Sequence, residues 1–372
     1  MHPEFPLSRD LIYLNHAAVT PWPVRTAQAI NRFAEENVRY GASRYLEWVK
    51  REDLLRDQLR ELLNAPSTDD IALVKNTSEA ISLVAFGLDW LPGDNIVSSN
   101  KEFPSNRIPW QALNDRGVEL KEANLNAAST PEDALFELVD EHTKLITLSS
   151  VQFASGLRLD LDKVGQFCHD HGILFCVDAI QSLGALHFDV QKCHADFVMA
   201  DGHKWMLGPE GLGVFYTSSR ARSLLDLMQY GWHMVENVGD YDNRPWLPAR
   251  NARRFECGSL NMLGIHALSA SLSLILETGV ETIETLLLER TAYLVKAITN
   301  QPMLELLSST IAERYSGIVL FRHRSIKNEQ LYQRLKQEGV VCALRGGGIR
   351  FSPHFYTSLD QLERALYIAS GA

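Results

Sequence analysis

The chain has 372 residues, 45% of them hydrophobic and 22% charged, and a formal net charge of -10 at pH 7. This length suits one large domain with a smaller companion and is enough to bury a sizeable core. The acidic balance argues against a surface built for nucleic acid or an anionic membrane. The five cysteines (Cys168, Cys176, Cys193, Cys257 and Cys342) are scattered, with no CxxC pair, so a disulfide framework and a zinc finger are not expected and reduced thiols are. The opening "MHPEFPLSRDLIYLNHAA" lacks a basic segment followed by an apolar one, and no run approaches the ~18 apolar residues of a membrane span. A cytoplasmic protein without a signal peptide is the expectation.

From about Thr26 to Leu63 the pattern is helical and charge-rich. Short apolar runs then alternate with amphipathic stretches. "DIALVKN" reads as a strand and "TSEAISLVAFGL" as a helix. "NIVSS" reads as a strand and "SNRIPWQALNDRG" as a helix ending at Gly117. "KLITLSSV", "ILFCVDA", "DFVMADG" and "GVFYTS" read as strands, with "DLDKVGQFCHDHG" a helix among them. This rhythm predicts an α/β fold with a mostly parallel sheet covered on both faces. After about Gly258 two long helical patterns (260–278 and 280–300) lead into "GIVLFRH", a helix over 328–339, "VVCALRGGGIRFSP" and a last helix from Ser358, which reads as a smaller α+β unit. The expected division is residues 1–275 for the N-terminal segment and large domain, and 276–372 for the small domain.

Ligands in open parallel sheets sit beyond the carboxyl ends of the strands. The polar residues just past the apolar runs are 76–79, 101–103, 149–152, Asp178 with Gln181, and 201–204. Lys204, between His203 and Trp205, follows a buried run. Its stem can simply pack while its head reaches water. A desolvated lysine can also lose its proton and act as an amine nucleophile toward a carbonyl cofactor. Asp178 can be a helix N-cap, or it can hold a protonated heteroaromatic nitrogen if Lys204 carries pyridoxal phosphate. Thr77 and Ser78 read equally as a capping-box variant and as donors to a phosphate at a helix start. Phe103 suits core or cofactor, and Arg350 suits a surface or a substrate carboxylate.

Seven stretches in order resemble the class V aminotransferases, the fold-type I pyridoxal-phosphate family that includes cysteine desulfurases, selenocysteine lyase, kynureninase and isopenicillin N epimerase. They are "YLNHAAVTPWP", "KNTSEAISLVA", "GDNIVSSNKEFPSNRIPWQ", "VDAIQSLGALHFDV", "DGHKWMLGPEGLGVFY", "RFECGSLN" and "LRGGGIRFSPHFY". The resemblance implies a large domain with a mostly parallel seven-stranded sheet, a small C-terminal α+β domain, and pyridoxal 5'-phosphate as cofactor. It implies that Lys204 forms the Schiff base and that Asp178 pairs with the ring nitrogen. Gln181 would contact the phenolic oxygen, His203, Thr77 and Ser78 the phosphate, and Phe103 the cofactor ring. Arg350 would take the substrate carboxylate, with Asn15 and Ala17 nearby. A homodimer follows if Ser259 completes the neighbour's phosphate site.

The chain also departs from its relatives. Desulfurases place a histidine where Phe103 stands and carry a nucleophilic cysteine on a loop before the carboxylate arginine, and that loop is missing here. Cys342 reads as a buried thiol. Asp201 replaces a phosphate-binding serine and is expected to turn away, and Gln152 stands in for the phenolic-oxygen asparagine. These departures lead to transamination of an amino acid as the expected reaction, with cysteine desulfuration disfavoured. An epimerase, a C–S or C–C lyase, and a non-catalytic cofactor-binding protein are the alternatives.

Overall fold

The computed structural model describes residues 2–242 and 244–371. The chain begins with the short strand β1 (Ile12–Tyr13). It continues through β2 (Ile71–Val74), β3 (Asn95–Ser99), β4 (Glu119–Ala123), β5 (Thr143–Ser149), β6 (Leu174–Asp178), β7 (Phe197–Asp201) and β8 (Gly213–Thr217). Strands β2 to β8 form one seven-stranded sheet in the order β2-β8-β7-β6-β5-β3-β4. All its pairings are parallel except those of β8, which runs against both β2 and β7.

Side chains alternate across a strand, so a sheet buried on both faces needs apolar residues at every position. Val97, Ile146, Val177 and Val198 pack in one cluster with Leu55, Leu59 and Leu62 of helix Tyr45–Leu63 and Leu268 and Leu272 of helix Met262–Thr278. Their neighbours Ile96, Leu145, Cys176 and Met199 point the other way, onto Ala80, Ile81 and Val84 of helix Thr77–Gly87. Helix Leu161–His171 lies so close to the chain at Cys193 that a Cβ on Gly165 would sit 1.7 Å from the Cys193 carbonyl oxygen, which accounts for a glycine in mid-helix.

The C-terminal part supplies β9 (Leu304–Leu306), β10 (Val319–His323), β11 (Val340–Val341), β12 (Ala343–Arg345) and β13 (Gly348–Phe351). Four of these make an antiparallel sheet in the order β12-β13-β10-β9, and β11 pairs in parallel with β1, Ile12 opposite Val340. The N-terminal segment is therefore tied to the last third of the chain. His16 strengthens the tie through Nδ1 to the Ser352 carbonyl at 2.8 Å and Nε2 to the Tyr356 hydroxyl at 2.6 Å. Residue 275 falls inside helix Met262–Thr278.

Three differences between the predicted and the observed elements have a clear physical cause. The helical pattern over 26–63 is two helices, Val24–Tyr40 and Tyr45–Leu63, broken at Gly41, which takes a positive φ of 54°. The helix expected over 105–117 is a single turn, Ile108–Gln111, flanked by two 3-10 turns, because Pro109 has no N–H to bond backwards. Strand β4 was not anticipated: it is a half-polar edge strand whose charged residues protect an open sheet edge. Among the described residues no single helix is long and apolar enough to cross a membrane. All five cysteines are free, and four of them are buried.

Candidate active site

Strands β2, β3, β6 and β7 run the same way and end on the same side of the sheet. The residues that follow them meet in a cavity of about 280 Å³. Thr77, Ser78, Phe103, Asp178, Gln181, His203, Lys204, Arg350 and Ala17 all line it.

Lys204 is only 9% exposed, and its Nζ lies 5.7 Å from the centre of the Phe103 ring. Burial pushes its pKa down to about 8, partly opposed by the Asp178 charge. Asp178, at the end of β6, is 1% exposed, and burial pushes its pKa up to about 7. Its Oδ1 accepts a bond from the Ile180 N–H at 3.0 Å, so it caps a turn and faces the cavity at once.

The cap of helix Thr77–Gly87 is Asn76, whose Oδ1 accepts from the Glu79 N–H at 2.9 Å. Thr77 and Ser78 are thereby left to the cavity. Thr77 Oγ1 is buried and has no partner, and Ser78 Oγ meets Ser105 Oγ at 2.8 Å. Asp201 does not turn away as expected. It lines the cavity, with Oδ1 3.0 Å from His203 Nδ1, although the two atoms are not aligned as a hydrogen bond.

Gln181 is held by its own chain: Nε2 donates to the Ala17 carbonyl at 3.0 Å, and Oε1 accepts from Trp205 Nε1 at 2.9 Å. Arg350 is 1% exposed, donates from Nη1 to the Phe153 carbonyl at 2.6 Å, and keeps an unpartnered Nε. Burial and the neighbouring Arg345 cation push its pKa down to about 10. Asn15 reaches the cavity only through Arg350, with Oδ1 3.5 Å from Nη2.

Besides Asn15, two predicted residues lie outside the cavity lining. Gln152 is buried in the wall of a neighbouring cleft, where Nε2 donates to Glu102 Oε1 at 2.8 Å. Ser259 is exposed. Conversely, Ser105, Phe153 and Arg345 line the cavity and were not singled out. For Arg345 a sequence signal existed: it precedes the glycine run that turns the chain back toward Arg350.

Pyridoxal phosphate fits this donor set. An orphaned buried hydroxyl on Thr77 and two further serine hydroxyls sit at a helix N-terminus, where a phosphate is favoured. A buried amine, a buried acid and an aromatic ring stand together a short way off.

The aminotransferase class V sequence profile matches residues 12–364. The chain belongs to the aminotransferase class V family. A probable cysteine desulfurase of Methanothermobacter thermautotrophicus is 29% identical over 382 residues, covering 97% of this chain and 94% of that one. Two solved structures of the cystine C-S lyase C-DES share the fold. One holds its reaction product cysteine persulfide (TM-score 0.89, 23% identity, covering 97% of this chain and 98% of that chain). The other, a variant with glycine covalently linked to its pyridoxal-phosphate cofactor, has TM-score 0.91 and 22% identity, covering 98% of each chain. The architecture is that of fold-type I pyridoxal-phosphate enzymes. The Methanothermobacter relative is named for removing sulfur from cysteine, which overturns the expectation of transamination and of disfavoured desulfuration. The expectation gave weight to a missing loop with its sulfur-accepting cysteine and to a missing proton-shuttling histidine, features that leave open which bond breaks.

Proposed function

We propose that this class V enzyme binds pyridoxal phosphate and cleaves the Cβ–S bond of cysteine or an S-substituted cysteine. The observation that carries this reading is the whole-length likeness to a cysteine desulfurase. The cavity supports it with a buried amine of near-neutral pKa beside a guanidinium that has no carboxylate partner among the described residues.

Lys204 would hold the cofactor, with Asp178 at its ring nitrogen and Thr77, Ser78 and His203 at its phosphate. Bound there, the cofactor supplies an electrophilic carbon and an electron-accepting ring. Arg350 orients the substrate by its α-carboxylate through a charge-assisted pair. Lys204 Nζ, unprotonated for part of the time near pH 8, takes the proton from Cα. The Cβ–S bond then breaks with its electron pair going to sulfur, and the proton returns from Nζ to the thiolate. Asp178 would keep the ring nitrogen of the bound cofactor protonated. No cysteine lines the cavity among the described residues, so sulfur leaves as a thiol, with its own substituent where it carries one.

Incubation of the loaded protein is expected to release sulfide from cysteine and cysteine persulfide from cystine, in each case together with pyruvate and ammonium. Consumption of the amino acid with a keto acid formed and sulfur retained would sink the proposal.

A homodimer is part of the same reading, with Ser259 of the partner subunit at the phosphate. Its support is that Ser259 is exposed and lies outside the cavity of its own chain. Sedimentation should give a dimer, and Ser259→Ala should weaken cofactor affinity by on the order of tenfold, the loss of one hydrogen bond to a charged group. A monomer with full affinity would refute it.

A further inference from the structure

The catalytic cavity lies beside a second space. Phe153 lines both the cavity and an adjoining cleft of about 790 Å³. Gly346 also lines that cleft and directly follows Arg345 in the hairpin between β12 and β13. Gly346 has a positive φ of 58°, and a Cβ there would come within 3.1 Å of Ala154 Cβ, so the hairpin lies tightly on the segment that carries Phe153. Arg345 therefore stands where the two spaces meet.

Arg345 is exposed, lines the catalytic cavity and pairs with no carboxylate among the described residues. The acids of that cavity are Asp178 and Asp201, and Asp201 lies against His203. Two guanidiniums, Arg345 and Arg350, are thus available to the substrate, and an α-carboxylate occupies one of them. The cavity alone is at the small end of the ~300–1,000 Å³ usual for ligand sites, and it has to hold a cofactor as well as an amino acid. The cleft wall carries a further sign of a ligand: Gln152 is 1% exposed, and its Oε1 is buried without a partner.

We propose that the rim of the cavity at Arg345 is a leaving-group subsite, in which Arg345 binds an acid carried by the thiol that departs from an S-substituted cysteine. This rests on the C–S cleavage proposed above. The balance is that of elimination: Cβ–S breaks, sulfur keeps the electron pair and gains the proton taken from Cα, and water releases the remaining fragment as pyruvate and ammonium. No oxidant or reductant is needed.

The test compares S-(2-carboxyethyl)cysteine with its neutral amide of the same shape. The loaded enzyme is expected to prefer the acid in kcat/KM by about 10- to 100-fold, the range for a charge-assisted pair. Arg345→Gln should bring the ratio close to one, and Arg345→Lys should restore part of it. The same ratio should appear in dissociation constants measured by calorimetry on the loaded Lys204→Ala variant, where turnover does not compete. A wild-type ratio near one, or a ratio that Arg345→Gln leaves intact, overturns the subsite. Cleavage of cysteine with neither S-substituted compound accepted overturns the subsite and leaves the C–S reading standing. Failure with all three compounds overturns both.

Discussion

Lys204→Ala is expected to lower kcat by about 10³-fold or more, since in the proposed function it removes both a covalent anchor and a general base, whose own contribution is typically 10²–10⁴-fold. Reduction of the wild-type protein with borohydride should add the cofactor mass to the peptide containing Lys204, and the variant should show no such adduct. Lys204→Arg is the sharper control. It keeps a cation beside Asp178 and Arg350, yet a guanidinium has no free amine to offer at neutral pH. If Lys204 served only as a charge, arginine would rescue activity. Full activity in either variant would remove the basis of the proposed chemistry.

Asp178→Asn should move stability and function in opposite directions. The folded pKa of Asp178 is raised from 3.8 to about 7, so its stabilising contribution is fully present below pH 3.8 and is lost as pH rises toward 7. Lys204 is lowered from 10.5 to about 8, so its contribution is present above pH 10.5 and is lost as pH falls toward 8. Cofactor-free protein should therefore be least helped by this pair between about pH 7 and 8. Asparagine removes the buried charge and keeps an oxygen for the Ile180 N–H. Urea melts of the cofactor-free variant should show a gain of a few kcal/mol at pH 7.5 relative to wild type, with the loss between pH 4 and 7 flattened. In the loaded enzyme the same change removes the acid that keeps the ring nitrogen protonated, and kcat should fall by on the order of 10²-fold, the scale of one buried charge-assisted bond. A variant that is less stable at neutral pH and fully active would contradict both halves.

The parts of this molecule legible in its sequence were those set by local chemistry. Strands β5 to β8 announce themselves because both sheet faces are covered, so Leu145 and Ile146, or Cys176 and Val177, must all be apolar although they point in opposite directions. Residues at strand ends, such as Asp178 and Lys204, could be placed on one side of the sheet by topology alone, and they do line one cavity. Edge strand β4 carries no such signature, because its charged residues match those of a surface loop. Gln152 was assigned to the cofactor by position in a motif, and one turn of chain sends it to Glu102 and the adjoining cleft. Asp201 was expected to avoid the cavity on grounds of charge, but the facing His203 gives its carboxylate a neighbour that sequence spacing does not reveal. Reaction type was the least legible. In the roles proposed for them, Lys204, Asp178 and Arg350 would serve every reaction that begins by taking a proton from Cα, and the bond broken next would depend on what the substrate presents beyond them.

The pairing of β1 with β11 has a bearing on how the enzyme comes into being. Ala17, Ala18 and Val19 reach the cavity just after a strand that has no partner until residues 340–341 exist, and His16 waits further for Ser352 and Tyr356. On the ribosome, where domains form as the chain emerges at ~5–20 residues per second, the central sheet has its strands well before the mouth of the pocket has its walls. A truncated or half-synthesised product thus has the lysine but not the enclosure around it, and the vitamin-derived aldehyde is captured in a finished pocket only after the chain has closed its two ends together.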